Sequence, residues 1–544
     1  MNIRSVLIVV SVLCLLMLST GNMWGVTETS EARYAEVSRE MYRSGDWIHP
    51  TLLNVHHYHK PPLTYWLTAL AYSIFGITPF AARFFLVIAF VVQVYLVFGI
   101  GKVIFKSEQS ACYSSIVYAT LPLVLVSVRG LTTDAYLTTF VLLSLYGGAK
   151  FIATRRSIFL YLMAFALGAG FITKGPAIIV VPFFAIFGLW RLSRKENPIL
   201  QGKLIIKFKQ IIIALLIFCV VGLTWFVVLV SEDAKFTDYF VFHHFVDRVA
   251  HAEVFARTQP WYYYLPIVPL VTFPWIIVFA GGLVVMKRKG SWSPIIKSLL
   301  TWTIVIPLII FSIASSKLVL YILPLAIGFS LITGHLLAQD MPRRLLIIFN
   351  ASVILINLCL MSVSLFYRRF ITDSYLVISS ALILVISLSL LLIGKSKQHT
   401  VILMSSILAM HLILFSALFF RLNSNEVNSL KNVTSYIREA NLQNRTIIVY
   451  DRLLPSVAFE LDKDIISVFA GDPSLKRETQ FERDDQWKKS LLDATNPKQS
   501  QQLRFQLQQE CVVIARDGMP VHLDSIMTGK WATKKFGKWR IYHN

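Results

Sequence analysis

About thirteen stretches of this chain are apolar enough, over roughly 20 residues each, to cross the hydrocarbon core of a bilayer as helices. They run near 5–23, 80–104, 109–128, 132–153, 157–173, 176–191, 209–230, 264–286, 295–314, 318–338, 344–366, 374–394 and 400–420. The composition agrees. Of the 544 residues, 56% are hydrophobic and 15% charged, and mean hydropathy is +0.62. A soluble enzyme carries about 25% charge, and a disordered chain is poor in apolar residues, so both classes are excluded. In the first stretch Arg4 precedes the apolar run. The exit, Gly21-Asn22-Met23-Trp24-Gly25, lacks a small-x-small cleavage site, which favours an uncleaved anchor over a signal peptide. Either reading leaves the next loop outside.

The charge is lopsided, 52 Lys+Arg against 30 Asp+Glu, a net +22. Its placement decides its meaning. Lys102 and Lys106, Lys150, Arg155 and Arg156, Arg191 to Lys209, Lys287 to Lys289, Arg343 and Arg344, and Lys395 and Lys397 follow alternate spans. Basic loops on one side fix the orientation with those loops cytoplasmic. The intervening loops and the C-terminal segment then face outward. The surplus is topological, and no nucleic-acid partner is expected. Cys14, Cys112, Cys219 and Cys359 lie within apolar spans, and Cys511 stands alone in the tail. No disulfide framework or cysteine zinc site is implied.

Two segments break the pattern. Residues 1–420 are expected to form a transmembrane catalytic domain with interfacial helices in its first outer loop, 24–79. Residues 421–544 are expected to form a small soluble α/β domain. Its strands fall near 445–450, 511–515 and 539–542, its helices near 430–441 and 499–509, and residues 471–500 form a polar, flexible middle. In the loop, Ser30 can cap a helix in which Tyr34, Val37 and Met41 repeat at helical spacing and face the bilayer. Lys60 precedes Pro61-Pro62, which holds it in extended backbone. A rigid lysine at the membrane edge suits a phosphate, and Arg33 can grip the same group as a planar fork. The plainer alternatives are a solvated interfacial helix and a lysine reaching up to water.

Ordered motifs then carry a resemblance. They are Glu31-Ala32-Arg33-Tyr34-Ala35-Glu36-Val37-Ser38-Arg39-Glu40-Met41, Ser44-Gly45-Asp46-Trp47-Ile48, and Lys60-Pro61-Pro62-Leu63 with Tyr65-Trp66. Thr173-Lys174-Gly175, Trp261-Tyr262-Tyr263 and Ser316-Lys317-Leu318 with Tyr321-Ile322-Leu323 continue the set to about residue 340. Together they resemble the lipid A aminoarabinose transferases and, more loosely, the protein mannosyltransferase group of the GT-C glycosyltransferases. The resemblance implies an α-helical polytopic membrane protein of about 13 spans with a small outer α/β domain. It implies inverting transfer of one sugar from a polyprenyl-phosphate donor to a lipid A-like glycolipid or other cell-surface acceptor at the periplasmic face. It implies Arg33 and Lys60 as donor-phosphate ligands, with Lys317, Tyr321 and Lys174 as further ones. Cations at that level would stabilise the phosphate as it leaves.

The family places Asp-Glu where this chain has Ser30-Glu31, so the acceptor's base is open among Glu31, Glu28 and Asp134. Asp134 sits at the mouth of its span, where an ionisable residue is functional or a helix cap. His56, His57 and His59 cluster before Lys60, and His243 and His244 form a second group with His251 beyond. A Zn2+ shared by His59 and His244 is one reading; ordinary hydrogen-bonding histidines are the other. A glycolipid transporter or flippase is the alternative function. It fits less well, because repeated halves and mid-membrane charges are lacking in the sequence.

Overall fold

The computed structural model describes residues 2–195, 206–233, 235–240, 258–290, 292–366, 370–393, 398–471, 475–520, 523 and 531–544. Ten of its helices are long and apolar enough to span a membrane. The pair Trp261–Thr272 and Trp275–Arg288, bent by 103°, supplies an eleventh if counted as one span. Its break falls at Phe273-Pro274, where proline has no amide hydrogen to continue the ladder. The two other expected spans are helical but shorter. The 109–128 stretch forms Glu108–Ala119 and then Pro122–Ser127. The 176–191 stretch opens on a tight turn, Gly175–Ile178, and continues as the 16-residue helix Val180–Lys195. The chain is a multi-pass membrane protein.

Its described residues fall into two compact units. The first comprises 1–19, 86–129 and 133–416, and its described residues are helical apart from short connections. Hydrophobic burial cannot hold helices together in lipid, so packing and small residues must. A Cβ on Gly334 would lie 2.2 Å from the Ser114 backbone nitrogen, and one on Gly222 would lie 3.0 Å from Gly168 Cα. At both places two helices touch backbone to backbone.

The second unit comprises 20–85, 130–132 and 417–544. Its core is a six-stranded sheet. In chain order the strands are β3 (Thr446–Tyr450), β4 (Ile466–Phe469), β5 (Leu491–Asp493), β6 (Cys511–Arg516), β7 (Ala532–Phe536) and β8 (Trp539–His543), arranged 5-4-3-6-8-7. β3 to β6 are parallel, and β8 runs antiparallel to β6 and β7. Parallel strands covered on both sides read as unbroken apolar runs, and Ile447, Ile448, Val449, Val512, Val513 and Ile514 are all fully buried. The sequence pattern located β3, β6 and β8. It missed β4, β5 and β7, which are short or, in β7, largely exposed.

The same unit holds the first loop. Helix Ser30–Ser44 ends at Gly45, whose left-handed backbone (φ +72°) lets its N–H bond the Met41 carbonyl. The cap position is Thr29, without a side-chain bond, and not Ser30 as the sequence suggested. Val37 and Met41 do not face lipid. They are buried in one core with Val433, Val449, Val457 and Ile541 of the C-terminal segment. Arg39 reinforces that packing. It forks onto Glu36 (2.8 Å twice) and reaches Asp464 (3.2 Å). A short hairpin, β1 (Thr51–Leu52) with β2 (Val55–His56), then leads to Lys60 and helix Leu63–Phe75.

Candidate active site

In the second unit the loop carboxylates have different fates. Glu31 is buried and bound as a clamp. Arg83 Nε and Nη2 donate to its two oxygens at 2.8 and 3.0 Å. The Thr27 amide and hydroxyl (both 2.9 Å) and the Leu131 amide (3.1 Å) donate as well. Burial alone would raise this carboxyl, but the Arg83 charge and these bonds reverse the effect and hold it below the usual range. Arg83 is itself fixed by the carbonyls of Gly21, Trp24 and Gly25. The sequence reading passed over Arg83. Its signal was the one charge at the mouth of the second span, a position that calls for a partner.

Glu28 is the opposite case. One oxygen accepts the Ser456 amide at 2.8 Å, and the other has no hydrogen-bond partner among the described residues. Burial pushes its pKa up to about 7, against the pull of Ser456 and the Arg33 charge. Arg33 is half-buried on the helix beyond, its Nε without a partner among the described residues. Its field also reaches His57 and Glu478. Lys60 is half-buried just past the hairpin.

The histidines divide. His56 turns to Glu482, 3.0 Å from Nδ1 to Oε1. His57 and His59 are buried with their rings 4.5 Å apart, and both approach Glu478, at 3.7 and 3.9 Å. The three ligand atoms lie within 4.8 Å of one another. Nitrogen and oxygen ligands about 2.1 Å from a tetrahedral zinc sit about 3.4 Å apart, so this set fits a divalent ion after a small contraction. Burial drives the His57 pKa down to about 4, which keeps it neutral. Burial would raise Glu478, but His57, Arg33 and Arg477 outweigh it and hold it ionised. Neutral imidazole and carboxylate are the forms that bind metal. Of the zinc pair read from sequence, His59 belongs to this cluster, and His244 lies outside the described residues, as do His243 and His251. Glu478 was missed because nothing in a polar stretch of the tail links it to residue 57.

The first unit gathers three other predicted residues. Asp134, in the first turn of helix Thr133–Thr154, bonds Lys174 Nζ at 2.5 Å. Both side chains are nearly buried, at 12% and 11% exposure. Lys174 also lies 4.4 Å from the centre of the Tyr321 ring. Lys174 therefore ties Asp134 down at the start of its helix. Lys317 is buried and donates to the Gln259 carbonyl at 2.8 Å.

Over 99% of its length the chain superposes on ArnT from Cupriavidus metallidurans bound to undecaprenyl phosphate, covering 98% of that chain at TM-score 0.79 and 18% identity. The fold is that of the GT-C glycosyltransferases. The apo form of the same ArnT gives 0.76 at 17% identity, over 99% of this chain and 97% of that one. Residues 59–225 match the dolichyl-phosphate-mannose-protein mannosyltransferase family. Among curated proteins, the chain is similar to the undecaprenyl phosphate-alpha-4-amino-4-deoxy-L-arabinose arabinosyl transferase of Pectobacterium atrosepticum, 30% identical over 59% of the chain. The Pectobacterium carotovorum protein of that name is 31% identical over 59%. The match spans 57% and 56% of those relatives' own lengths. The resemblance read from the loop motifs is therefore found again by independent routes.

Proposed function

We propose that this protein is an inverting glycosyltransferase of the bacterial inner membrane, acting at the periplasmic face. It moves a single sugar from a polyprenyl-phosphate donor to a lipid A-like glycolipid or another cell-surface acceptor. What carries the reading is similarity, at 30–31% identity, to transferases named for an undecaprenyl-phosphate-linked sugar, in a chain whose outer loop holds Arg33 and Lys60 in partly buried positions. The basic exits of alternate spans support the orientation.

The acceptor oxygen attacks the anomeric carbon opposite the phosphate. That bond forms as the bond from carbon to phosphate oxygen breaks, and the polyprenyl phosphate leaves with the electron pair. Arg33 and Lys60 bind the developing phosphate charge, and Lys317 and Tyr321 are secondary ligands. Glu28 is the best of the three carboxylates for the acceptor's proton. A base works best with its pKa near the working pH, and Glu28 lies at about 7. Glu31 is held low by Arg83 and Asp134 is paired with Lys174, so both act as positioning groups. The His57–His59–Glu478 cluster is proposed to hold Zn2+ that orders the loop.

The test uses purified protein and radiolabelled polyprenyl-phosphate sugar with lipid A as acceptor. Arg33→Ala and Lys60→Ala should each lower transfer by about 10²-fold or more while leaving detergent-solubilised protein monodisperse. Normal transfer by both variants would falsify the assignment. Mass spectrometry of surface glycolipids in cells with and without the protein identifies the acceptor.

A further inference from the structure

A crevice of ≈490 Å³ opens in the C-terminal sheet, lined by the last residues of β3 and β6 and those just after them. Its position follows from the winding of the chain. From β3 the chain steps to β4 and then β5 on one side, and returns to β6 on the other. The segment leaving β3 becomes helix Pro455–Leu461, whose Val457 and Ala458 pack on Val449 and Ile514. The segment leaving β6 passes to the opposite face, where Met519 and Leu523 join Ile448 and Val513. Neighbouring parallel strands whose exits part to opposite faces leave a gap at their carboxyl ends, and open α/β sheets bind their ligands at this switch point.

The lining defines a chemistry. Arg452 and Arg516 present guanidinium groups, with side chains 42% and 48% exposed. Asp451 and Asp517 stand beside them, each with a carboxylate oxygen 3.5 Å from its neighbouring arginine. Tyr450 and Met519 add apolar surface. Tyr542 anchors the wall by accepting the Met519 amide at 3.2 Å. Two planar cations suit a phosphate, carboxylates accept sugar hydroxyls, and an aromatic ring with a thioether covers the apolar face of a pyranose. The volume falls in the range of about 300–1,000 Å³ usual for small-molecule sites. A nucleotide fits less well. The turn after β3, Asp451-Arg452-Leu453-Leu454-Pro455, has no glycine to let backbone approach a pyrophosphate.

We infer that the crevice between β3 and β6 is a binding site for a phosphorylated sugar. The inference stands apart from the transfer reaction and from the loop residues assigned to it.

The probe is glucosamine 1-phosphate, titrated into full-length protein in detergent and followed by saturation-transfer NMR. Binding should weaken about tenfold or more in the double variant Arg452→Ala/Arg516→Ala. Asp517→Asn should weaken the sugar phosphate but not inorganic phosphate, and glucosamine alone should bind about tenfold more weakly than its phosphate. All these changes lie on partly exposed side chains, and an unshifted thermal midpoint would verify folding; Arg516→Lys, which keeps the charge, should retain part of the affinity. Three results overturn the proposal: no binding at about 10 mM probe, equal affinity in the double variant, or tighter binding of a nucleoside monophosphate.

Discussion

Two parts of one loop, three residues apart, hold carboxylates in opposite states. Glu31 faces Arg83 and carries hydrogen bonds on both oxygens, and its proton is gone well below neutrality. Glu28 has Ser456 and the more distant Arg33 charge for partners among the described residues, too little to offset burial, and keeps its proton to about pH 7. Burial raises both carboxyls, although Glu28 as a residue is half-buried and Glu31 fully buried, so burial alone does not explain the order of their pKa values. The number and charge of the donors around each does. A fully satisfied buried carboxylate is a fastener, and an under-satisfied one is available for proton transfer.

The largest test of that contrast is Glu28→Gln. It should lower transfer by about 10²–10⁴-fold, the usual worth of a general base. Glu28→Asp, which keeps the carboxylate, should recover part of the rate. In the wild type the rate should fall about tenfold per pH unit below pH 7, and in Glu28→Gln that slope should vanish. Stability runs the other way. The unfolded carboxyl releases its proton near 4.5 and the folded one near 7, so folding loses free energy as pH rises between these values. The glutamine variant should therefore melt higher than wild type at pH 8 and no higher at pH 4. A full transfer rate in Glu28→Gln would remove Glu28 from the chemistry.

Arg83→Ala tests the other half. It strands the buried Glu31 charge, which typically costs about 3–5 kcal/mol, and should appear as a large drop in thermal midpoint at pH 7. Glu31 has its pKa lowered, so its contribution is present above 4.5 and is lost as pH falls through the depressed value. The gap between wild type and Arg83→Ala should accordingly close in acid. The double variant Arg83→Met/Glu31→Gln should recover most of the stability, because it removes both charges. If it recovers stability but not transfer, the clamp also positions the loop.

These distinctions mark what the sequence could carry. Apolar runs and basic exits located the helices, because lipid demands length and hydropathy that show in any window of about 20 residues. Interruptions such as Thr120-Leu121 and Phe273-Pro274 were harder to see, since a broken helix keeps the same composition. In the tail, β3 and β6 announced themselves as apolar runs, while β7, with Lys534 and Lys535 exposed, did not. Helix Ser30–Ser44 shows the limit best. Its Val37 and Met41 spacing revealed a buried face, but local periodicity does not say whether lipid or a sheet 400 residues later covers it. The same holds for the site. Glu28, Glu31, Arg33 and Lys60 were visible as motif residues, yet only three-dimensional partners such as Arg83 and Ser456 rank the carboxylates.

The Asp134–Lys174 pair extends the comparison into the membrane unit. Lys174→Met leaves one nearly buried charge without its partner and should cost about 3 kcal/mol, at the low end for such a break. Adding Asp134→Asn should return the midpoint to near wild type. Transfer measured in that double variant then separates the roles. A rate close to wild type means the pair only fastens helices, and loss of rate with restored stability returns Asp134 to the candidates for the base.

The smallest expected effect is that of metal on the His57–His59–Glu478 cluster. An ion bound to the folded state alone stabilises it by about 2.7 kcal/mol when free metal is about 100 times Kd. Chelation should lower the midpoint of wild type by a few degrees, and elemental analysis of the untreated protein should find close to one zinc per chain. His57→Ala should abolish both the bound metal and the response to chelator, while His56→Ala, whose ring bonds Glu482, should change neither. Unlike Glu31, Glu478 has no arginine forked onto it among the described residues, and its nearest buried neighbours are the two imidazoles of His57 and His59, of which burial holds His57 neutral. His57, Arg33 and Arg477 hold that carboxylate ionised, and a divalent ion would add a positive charge in direct contact with it. If the purified protein holds no metal and chelator leaves the midpoint unmoved, then Arg33 and Arg477 alone must balance Glu478, and Arg33→Ala would destabilise the loop as well as stop transfer.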